Sequence, residues 1–327
     1  MRAFAGDHVA VTRSLLLLMT LALFACSSDS PDSSSADGGA ADGRVADGID
    51  ASVPGIDAGE PGPFTARVMS FNLRWDGFDD GENSWANRRA IVYQVLEAFG
   101  PDSVGTQEAM PRQIADIEAA MPLLDSYQFD DGAGFDRTQQ IAYNNSRFER
   151  VEAFGFLLIE GLNADGTIRF CTFVRLQDRV TGRSYYHYNV HLDHRSATSR
   201  QLSAVRLMQF ISSRATDDPF VVTGDFNTGE SSPTMEFLRG ERTLPDLQGA
   251  QYTNPLPLVD TYRSLYPNAP DSGTGHPFDG DRTGGKIDHV LVEAGAATTL
   301  EAVIIHTEVA GKYPSDHFPV AARVQWP

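Results

Sequence analysis

Cysteine is nearly absent. The 327 residues hold two, Cys26 and Cys171, which allows at most one intrachain disulfide and none if either is otherwise used. Positive charge is also scarce. Lys and Arg number 26 against 44 Asp and Glu, for a formal net charge of −18. That balance disfavours loose, sequence-blind binding to duplex DNA, which depends on Lys and Arg. The apolar run Leu15–Ala25 falls short of the roughly 20 residues a permanent membrane helix needs. No internal repeat and no composition break follows Phe64, so one domain is the simplest reading. No extended aromatic platform, the mark of a surface carbohydrate binder or adhesin, stands out; the 10% aromatic residues fall in patterns that read as core.

What is present divides the chain in three. Residues 1–25 carry Arg2 and Arg13 ahead of the apolar run and read as a secretory signal. The run ends Leu23-Phe24-Ala25-Cys26-Ser27, which has the form of a bacterial lipobox with Cys26 as the lipidated first residue. The expectation is an exported protein held at the bacterial envelope through lipid on Cys26, with plain secretion as the alternative. Residues 26–63 are rich in Asp, Ser, Gly and Ala and lack aromatics. Such a stretch buries too little to offset its ordering entropy and reads as a disordered linker. Its Ala-Asp-Gly units at Ala36, Ala41 and Ala46 lack the hydrophobic ladder of a calcium-binding repeat. Residues 64–327 are the folded domain. They keep a net charge of about −12 and, within a chain 41% hydrophobic, suffice for a large core.

Inside that domain short strand patterns alternate with helical ones. Phe64–Leu73 alternates like a strand, Trp85–Phe99 has helical spacing behind an N-cap at Ser84, and Asp102–Glu108 is a strand ending in an acid. Pro111–Met121 and Thr198–Arg214 read as helices. Tyr127–Phe129, Gln139–Tyr143, Val151–Ile159, Ile168–Leu176, Ser184–Val190, Lys286–Val292, Leu300–His306 and Phe318–Val324 read as strands. Arg239–Pro257 reads as irregular, and Leu258–Tyr266 as helical. Cys171 lies in a strand pattern and reads as buried and inert. The alternation points to an α/β architecture.

Polar residues recur at the strand ends. Val221-Val222-Thr223-Gly224 leads into Asp225 and Asn227, which project to one side because residues two apart in an extended segment share a face. An acid beside an amide can bind a hard cation, steer a water or donate to an oxyanion. Alone, such a pair is more often a plain Asx turn. Asn72, Glu108, His191, Asp288, Asp316 and His317 occupy similar places, and each alone has a plain reading as a loop or core residue.

Together they closely resemble the endonuclease/exonuclease/phosphatase superfamily of deoxyribonuclease I-like, metal-dependent phosphoesterases. The residues that carry the resemblance are Met69-Ser70-Phe71-Asn72, Gln107-Glu108, Asn189-Val190-His191-Leu192-Asp193, Gly224-Asp225-Phe226-Asn227, Lys286-Ile287-Asp288-His289 and Ser315-Asp316-His317. They occur in the family's order over about residues 66–325. Asn83–Arg88 and Tyr313–Pro319 resemble one bacterial branch of it.

The resemblance implies an α/β (α+β) four-layer sandwich, two packed mixed β-sheets flanked by helices, with the site in a cleft at one end. It implies a divalent-metal-dependent hydrolase, acting on a phosphodiester by in-line attack of an activated water. The metal is Mg²⁺ or Mn²⁺, held by Glu108 with Asn72 in the same shell. Asp225 positions or deprotonates the water and Asn227 holds a phosphoryl oxygen. His317, oriented by Asp316, acts as base or stabilises charge. His191, oriented by Asp288, assists phosphate or leaving group. The chain departs from the branch at Asn144-Asn145, where a basic residue is usual, and before Arg169. His194, His276 and Arg88 are further candidates for substrate contact. The substrate is a small molecule, a nucleic acid or a lipid head group, and a monomer is expected. The alternative function is a catalytically silent phosphate- or ligand-binding module on the same scaffold.

Overall fold

The computed structural model describes residues 62–130, 138–159 and 168–327. The expected signal, the lipid site Cys26 and nearly all of the linker lie outside them. Among the described residues no helix is long and apolar enough to cross a membrane.

Two six-stranded sheets form the body. The first holds β1 (Phe64–Asn72), β2 (Ser103–Gln107), β3 (Leu124–Gln128), β4 (Gln140–Asn144), β13 (Thr298–Ile304) and β14 (Val320–Trp326), in the order β13-β14-β1-β2-β4-β3. The second holds β5 (Phe148–Ile159), β6 (Arg169–Asp178), β7 (Ser184–His191), β8 (Phe220–Asp225), β11 (Leu258–Asp260) and β12 (Asp288–Glu293), in the order β11-β12-β8-β7-β6-β5. Each sheet is mixed: β1–β2 and β7–β8 run parallel, and the other pairs run antiparallel.

Alternation along the strands sorts side chains into three cores. Val68, Ile141 and Val320 of the first sheet meet Val174, Val221 and Val290 of the second. Met69, Phe71 and Val104 face outward under α1 (Trp85–Phe99) and α2 (Pro111–Ala120). Tyr188, Val190 and Val222 face α3 (Ala197–Ser212) and α4 (Pro233–Leu238) on the far side. The result is the helix–sheet–sheet–helix sandwich expected. α1 buries Ile91, Val92, Val95, Leu96 and Phe99 and stops at Gly100, whose φ of 61° suits glycine.

Two segments differ from the sequence reading. Within Arg239–Pro257, Thr243–Pro245 (β9) and Gln251–Thr253 (β10) pair as a small hairpin. Its three-residue arms are too short to show a period, and Asp246 sets the turn by accepting from the N–H groups of Gln248 and Ala250. Leu258–Tyr266 is not one helix. Leu258–Asp260 pairs with β12, and Asp260 then accepts from Arg263 N–H as the cap of α5 (Thr261–Leu265). A strand ending in a capping acid mimics an amphipathic start.

Part of the seam between the sheets is polar. Gln107 donates to Asn189 Oδ1 at 2.7 Å, and Asn189 donates to the carbonyls of Thr106 and Gln140. His187 bridges Ser103 and Thr223 at 2.8 and 2.7 Å. The sheets approach so closely that a Cβ on Gly105 would stand 2.0 Å from Thr223 Oγ1. This network, in which Gln107 Oε1 alone of the named side chains' atoms lacks a partner, joins the strands just behind their polar ends.

Candidate active site

The strands deliver their polar ends to one cleft. β1 ends on Asn72, Glu108 follows β2, β7 ends on His191, β8 ends on Asp225, and β12 begins on Asp288. Register fixes their neighbours: His191 pairs with Asp225 across β7–β8, and Asp225 with Asp288 across β8–β12. The first sheet contributes Asn72, and its amide reaches across the sandwich to Asp225 Oδ2 at 3.2 Å and to Glu108 Oε1 at 3.5 Å. The segment carrying Asp316 and His317 is clamped by the preceding loop, through His276 N–H to Asp316 O and Phe318 N–H to Thr274 O.

Asp225 is the hub. Its Oδ1 accepts from Asn227 N–H at 2.8 Å, while His191 Nε2 lies 3.6 Å and His317 Nε2 4.0 Å from Oδ2. His317 Nδ1 bonds Asp288 Oδ2 at 2.8 Å. Burial, together with Asp288 nearby, pushes the Asp225 carboxyl up to about 7. Burial disfavours a charged His317, but Asp288 and then Asp225 outweigh it and hold the imidazole well above its ordinary value. His191 is held well below its ordinary value, first by burial and then by the positive charges of Arg169 and His317. The cleft thus pairs a protonated His317 with a neutral His191, on either side of a carboxyl poised near neutrality.

These distances correct two pairings. His317 is oriented by Asp288, not by Asp316. Asp316 instead pairs with Arg74 at 3.2 Å, and Arg74 also grips Asp80. His191 faces Asp225 rather than Asp288. Strand register sets the His191–Asp225 pair, while the loop before β14 carries His317 to the start of β12. Asn227 donates its amide to Leu192 O at 3.0 Å, which ties the β8 loop to the β7 loop. Arg88, 1% exposed, donates to the carbonyls of Asn83, Pro314 and Arg74 and buttresses the loops without entering the cleft. His276 is buried against Phe318, with ring centroids 4.1 Å apart, and does not line the cleft. Asp193 accepts from the N–H groups of Arg195 and Ser196 and shapes the turn into α3.

The cleft has a volume of about 680 Å³. Besides Glu108, His191, Asp225, Asn227, Asp316 and His317 it is lined by His194, and by residues the motifs do not include: Arg74, Trp75, Phe78, Thr138, Arg169 and Arg195. Their signal in the sequence is weak, because they sit on loops or at a strand start with no period. Backbone strain marks the same place. Arg74, Glu108 and Asn227 are non-glycine residues with φ of 57°, 54° and 50°, a costly conformation that gathers at functional sites.

A divalent cation fits the Glu108 side. Glu108 offers a carboxylate whose Oε2 accepts from Trp75 N–H at 2.9 Å, and oxygen donors suit Mg²⁺ or Mn²⁺. Asn72 turns its amide nitrogen toward both carboxylates, while its oxygen accepts from Arg74 N–H. In this orientation it would steady the carboxylate that would hold the ion. The ligand atoms of Asp225, Asp288 and His317 also lie within 4.8 Å of one another. There the protonated His317 already supplies the positive charge, although Asp288 Oδ1 is buried with no hydrogen-bond partner.

The sequence profile of the Endonuclease/Exonuclease/phosphatase family matches residues 69–317. No curated protein matches the chain. Among solved structures, an endonuclease/exonuclease/phosphatase family protein from Bacteroides thetaiotaomicron is 25% identical, with a TM-score of 0.67 over 81% of this chain and 99% of that one. Mannosyl-6-phosphatase Bt3783 from Bacteroides thetaiotaomicron VPI-5482 is 24% identical, with a TM-score of 0.66 over 79% and 99%. TDP2 from D. rerio, complexed with single strand DNA product, is 17% identical, with a TM-score of 0.62 over 80% and 98%.

Proposed function

Since the chain belongs to the endonuclease/exonuclease/phosphatase family, and so among enzymes that cleave phosphoester bonds, we propose that it is a divalent-metal-dependent phosphodiesterase working by in-line attack of water. The observation that carries this reading is the line Asp288–His317···Asp225 facing Glu108 across one cleft.

Glu108, backed by Asn72, would hold Mg²⁺ or Mn²⁺, which when bound would supply charge relief on the phosphoryl oxygens. Asp225 takes the proton of the attacking water. A carboxyl raised to about 7 accepts that proton near neutral pH and remains ionised often enough to act. Asn227, through its backbone N–H, aims Asp225. His317 stays protonated against Asp288 and donates to the phosphoryl oxygen where negative charge grows. Neutral His191 is a hydrogen-bond donor to the phosphate or the leaving oxygen. Asp316 fixes Arg74 at the rim.

The fold neighbours include a sugar phosphatase and a protein crystallised with single strand DNA product, so the fold alone selects no substrate. A cleft of about 680 Å³ has room for substituents on both sides of phosphorus, as a diester requires. The sequence adds export and a lipid anchor on Cys26 to the proposal.

The test is hydrolysis of bis-p-nitrophenyl phosphate and p-nitrophenyl phosphate by the full chain with Mg²⁺, Mn²⁺ or chelator. Turnover that needs metal, and a weakened metal dependence in Glu108→Gln, is expected. A diester rate above the monoester rate supports the diester assignment. Undiminished turnover in chelator contradicts the metal requirement.

A further inference from the structure

Beside Glu108, the loop after β1 presents two aromatic rings. Trp75 is 37% and Phe78 51% exposed, and both line the cleft. A partly exposed aromatic pair at a cleft mouth can take up part of a ligand. The pair is firmly built. Trp75 donates its backbone N–H to Glu108 and its indole N–H to the Met110 sulfur. Gly77 lies against the indole, where a Cβ would stand 2.7 Å from Cζ2. The Arg74 guanidinium sits 4.4 Å from the Phe78 ring centroid. The two centroids are 4.9 Å apart and the planes meet at 88°. The rings therefore form a right-angled corner opening beside the metal-side carboxylate.

We propose that this corner receives the group esterified to phosphorus, and that this group is a hydroxylated saturated ring, a sugar. The inference rests on the phosphoesterase reading above and narrows its substrate class. Ring geometry favours a sugar over a base. A flat base is best held between parallel faces, and these planes are perpendicular. A saturated ring carries C–H bonds on its face and its edge, and their positive ends suit the negative faces of two rings set at an angle. The rest of the cleft is hydrophilic: Thr138, His194 and Arg195 suit hydroxyl groups and oppose an acyl chain.

The test uses fluorescence as well as turnover. Of three tryptophans, Trp85 and Trp326 are 4% and 2% exposed, so Trp75 dominates any ligand-dependent emission. The full chain in Mg²⁺ is titrated with three non-hydrolysable probes: a hexose 6-phosphonate, propylphosphonate and an adenosine 5′-phosphonate. The hexose probe should shift the emission and bind about tenfold or more tighter than propylphosphonate, about 1.4 kcal/mol in binding. With affinities read by calorimetry, because the variants lack the reporting indole, Trp75→Ala should abolish the preference, Phe78→Leu should reduce it, and Trp75→Tyr should keep it. Equal binding of the hexose and propyl probes, tighter binding of the adenosine probe, or a preference that survives Trp75→Ala overturns the corner while leaving the phosphoesterase reading intact. Failure of every phosphonate to bind while p-nitrophenyl esters are still turned over overturns the corner alone, and failure together with no turnover overturns both.

Discussion

Two aspartate–histidine pairs lie back to back on neighbouring residues of β12, and they behave oppositely. In the cleft, Asp288 bonds His317 at 2.8 Å, and His317 is held protonated. Behind it, Asp260 lies 2.5 Å from His289, yet His289 is held below its ordinary value. The difference is Lys286. It is fully buried, bonds Asp260 at 2.7 Å, and adds its positive charge to the burial that already disfavours a second cation. Asp260 is correspondingly held well below the usual carboxylate range: burial opposes this, and Lys286 with His289 overcomes it. The same two residue types thus make a proton-holding pair where no lysine bonds the acid, and a closed structural ion pair where one does. Lys286 also donates to Asp288 O at 2.8 Å, so the structural cluster anchors the backbone of the catalytic one.

That contrast can be broken from either end. The largest effect is expected on turnover: His317→Ala should lower kcat/KM by about 10²–10⁴, the usual worth of a positioned acid or base, measured on protein confirmed folded. Next, Lys286→Met leaves the buried Asp260 carboxylate without its lysine. A loss of about 3–5 kcal/mol in unfolding free energy is expected, read by urea denaturation, together with a rise in the His289 pKa read by NMR. If stability is unchanged, the rear cluster does not have the structural role given to it.

A smaller effect separates the two acids near His317. Asp288→Asn should cost at least about 1.4 kcal/mol in the barrier, or tenfold in kcat, and should shift the pH profile as the His317 pKa falls. Asp316→Asn should change kcat less and leave that profile in place, because Asp316 holds Arg74. Equal shifts would reverse the assignment.

The broadest effect concerns pH and stability. Burial pushes His187 down to about 3, and His276 and His306 to about 4. The unfolded chain protonates these rings near pH 6.5, while the folded chain waits for lower pH. Between those limits the unfolded state binds more protons, so stability falls as pH drops, by up to about 1.4 kcal/mol per pH unit for each net proton. Asp225 works the other way. Its folded pKa of about 7 lies above the ordinary aspartate value of about 3.9, so it favours the folded state more as pH falls from about 7 to 4. His191 and His289 are held low as well, while His317, held high, sides with Asp225; five histidines against these two leave a net loss on acidification. Urea midpoints at pH 7, 6 and 5 check this; a rising midpoint contradicts it.

The sandwich was legible because β1, β2, α1 and α3 carry clear periods and clear stops, such as Gly100 after Phe99. The convergence of Asn72, Glu108, His191, Asp225, Asn227, Asp316 and His317 was legible for a related reason: polar residues at the ends of apolar strands share one edge. Which acid serves which histidine was not legible. Asp316 precedes His317 in the chain, but side chains on successive residues point apart, and Asp288 reaches His317 from another strand. Trp75, Phe78 and Arg169 carry no period. The three-residue arms of β9 and β10 lie below the length at which alternation shows, and Asp260 hides a strand's end inside a helix start.

The most direct measurement compares hydrolysis of bis-p-nitrophenyl phosphate by three full-length proteins, wild type, His317→Ala and His289→Asn, in Mg²⁺ and each confirmed folded. Asparagine keeps a donor where Nδ1 of His289 meets Asp260. The account expects His317→Ala to lose at least about 100-fold and His289→Asn to stay within about threefold of wild type, since it removes no group from the cleft. Equal losses in both folded variants, or full activity in His317→Ala, would contradict the division between a catalytic pair and a structural one.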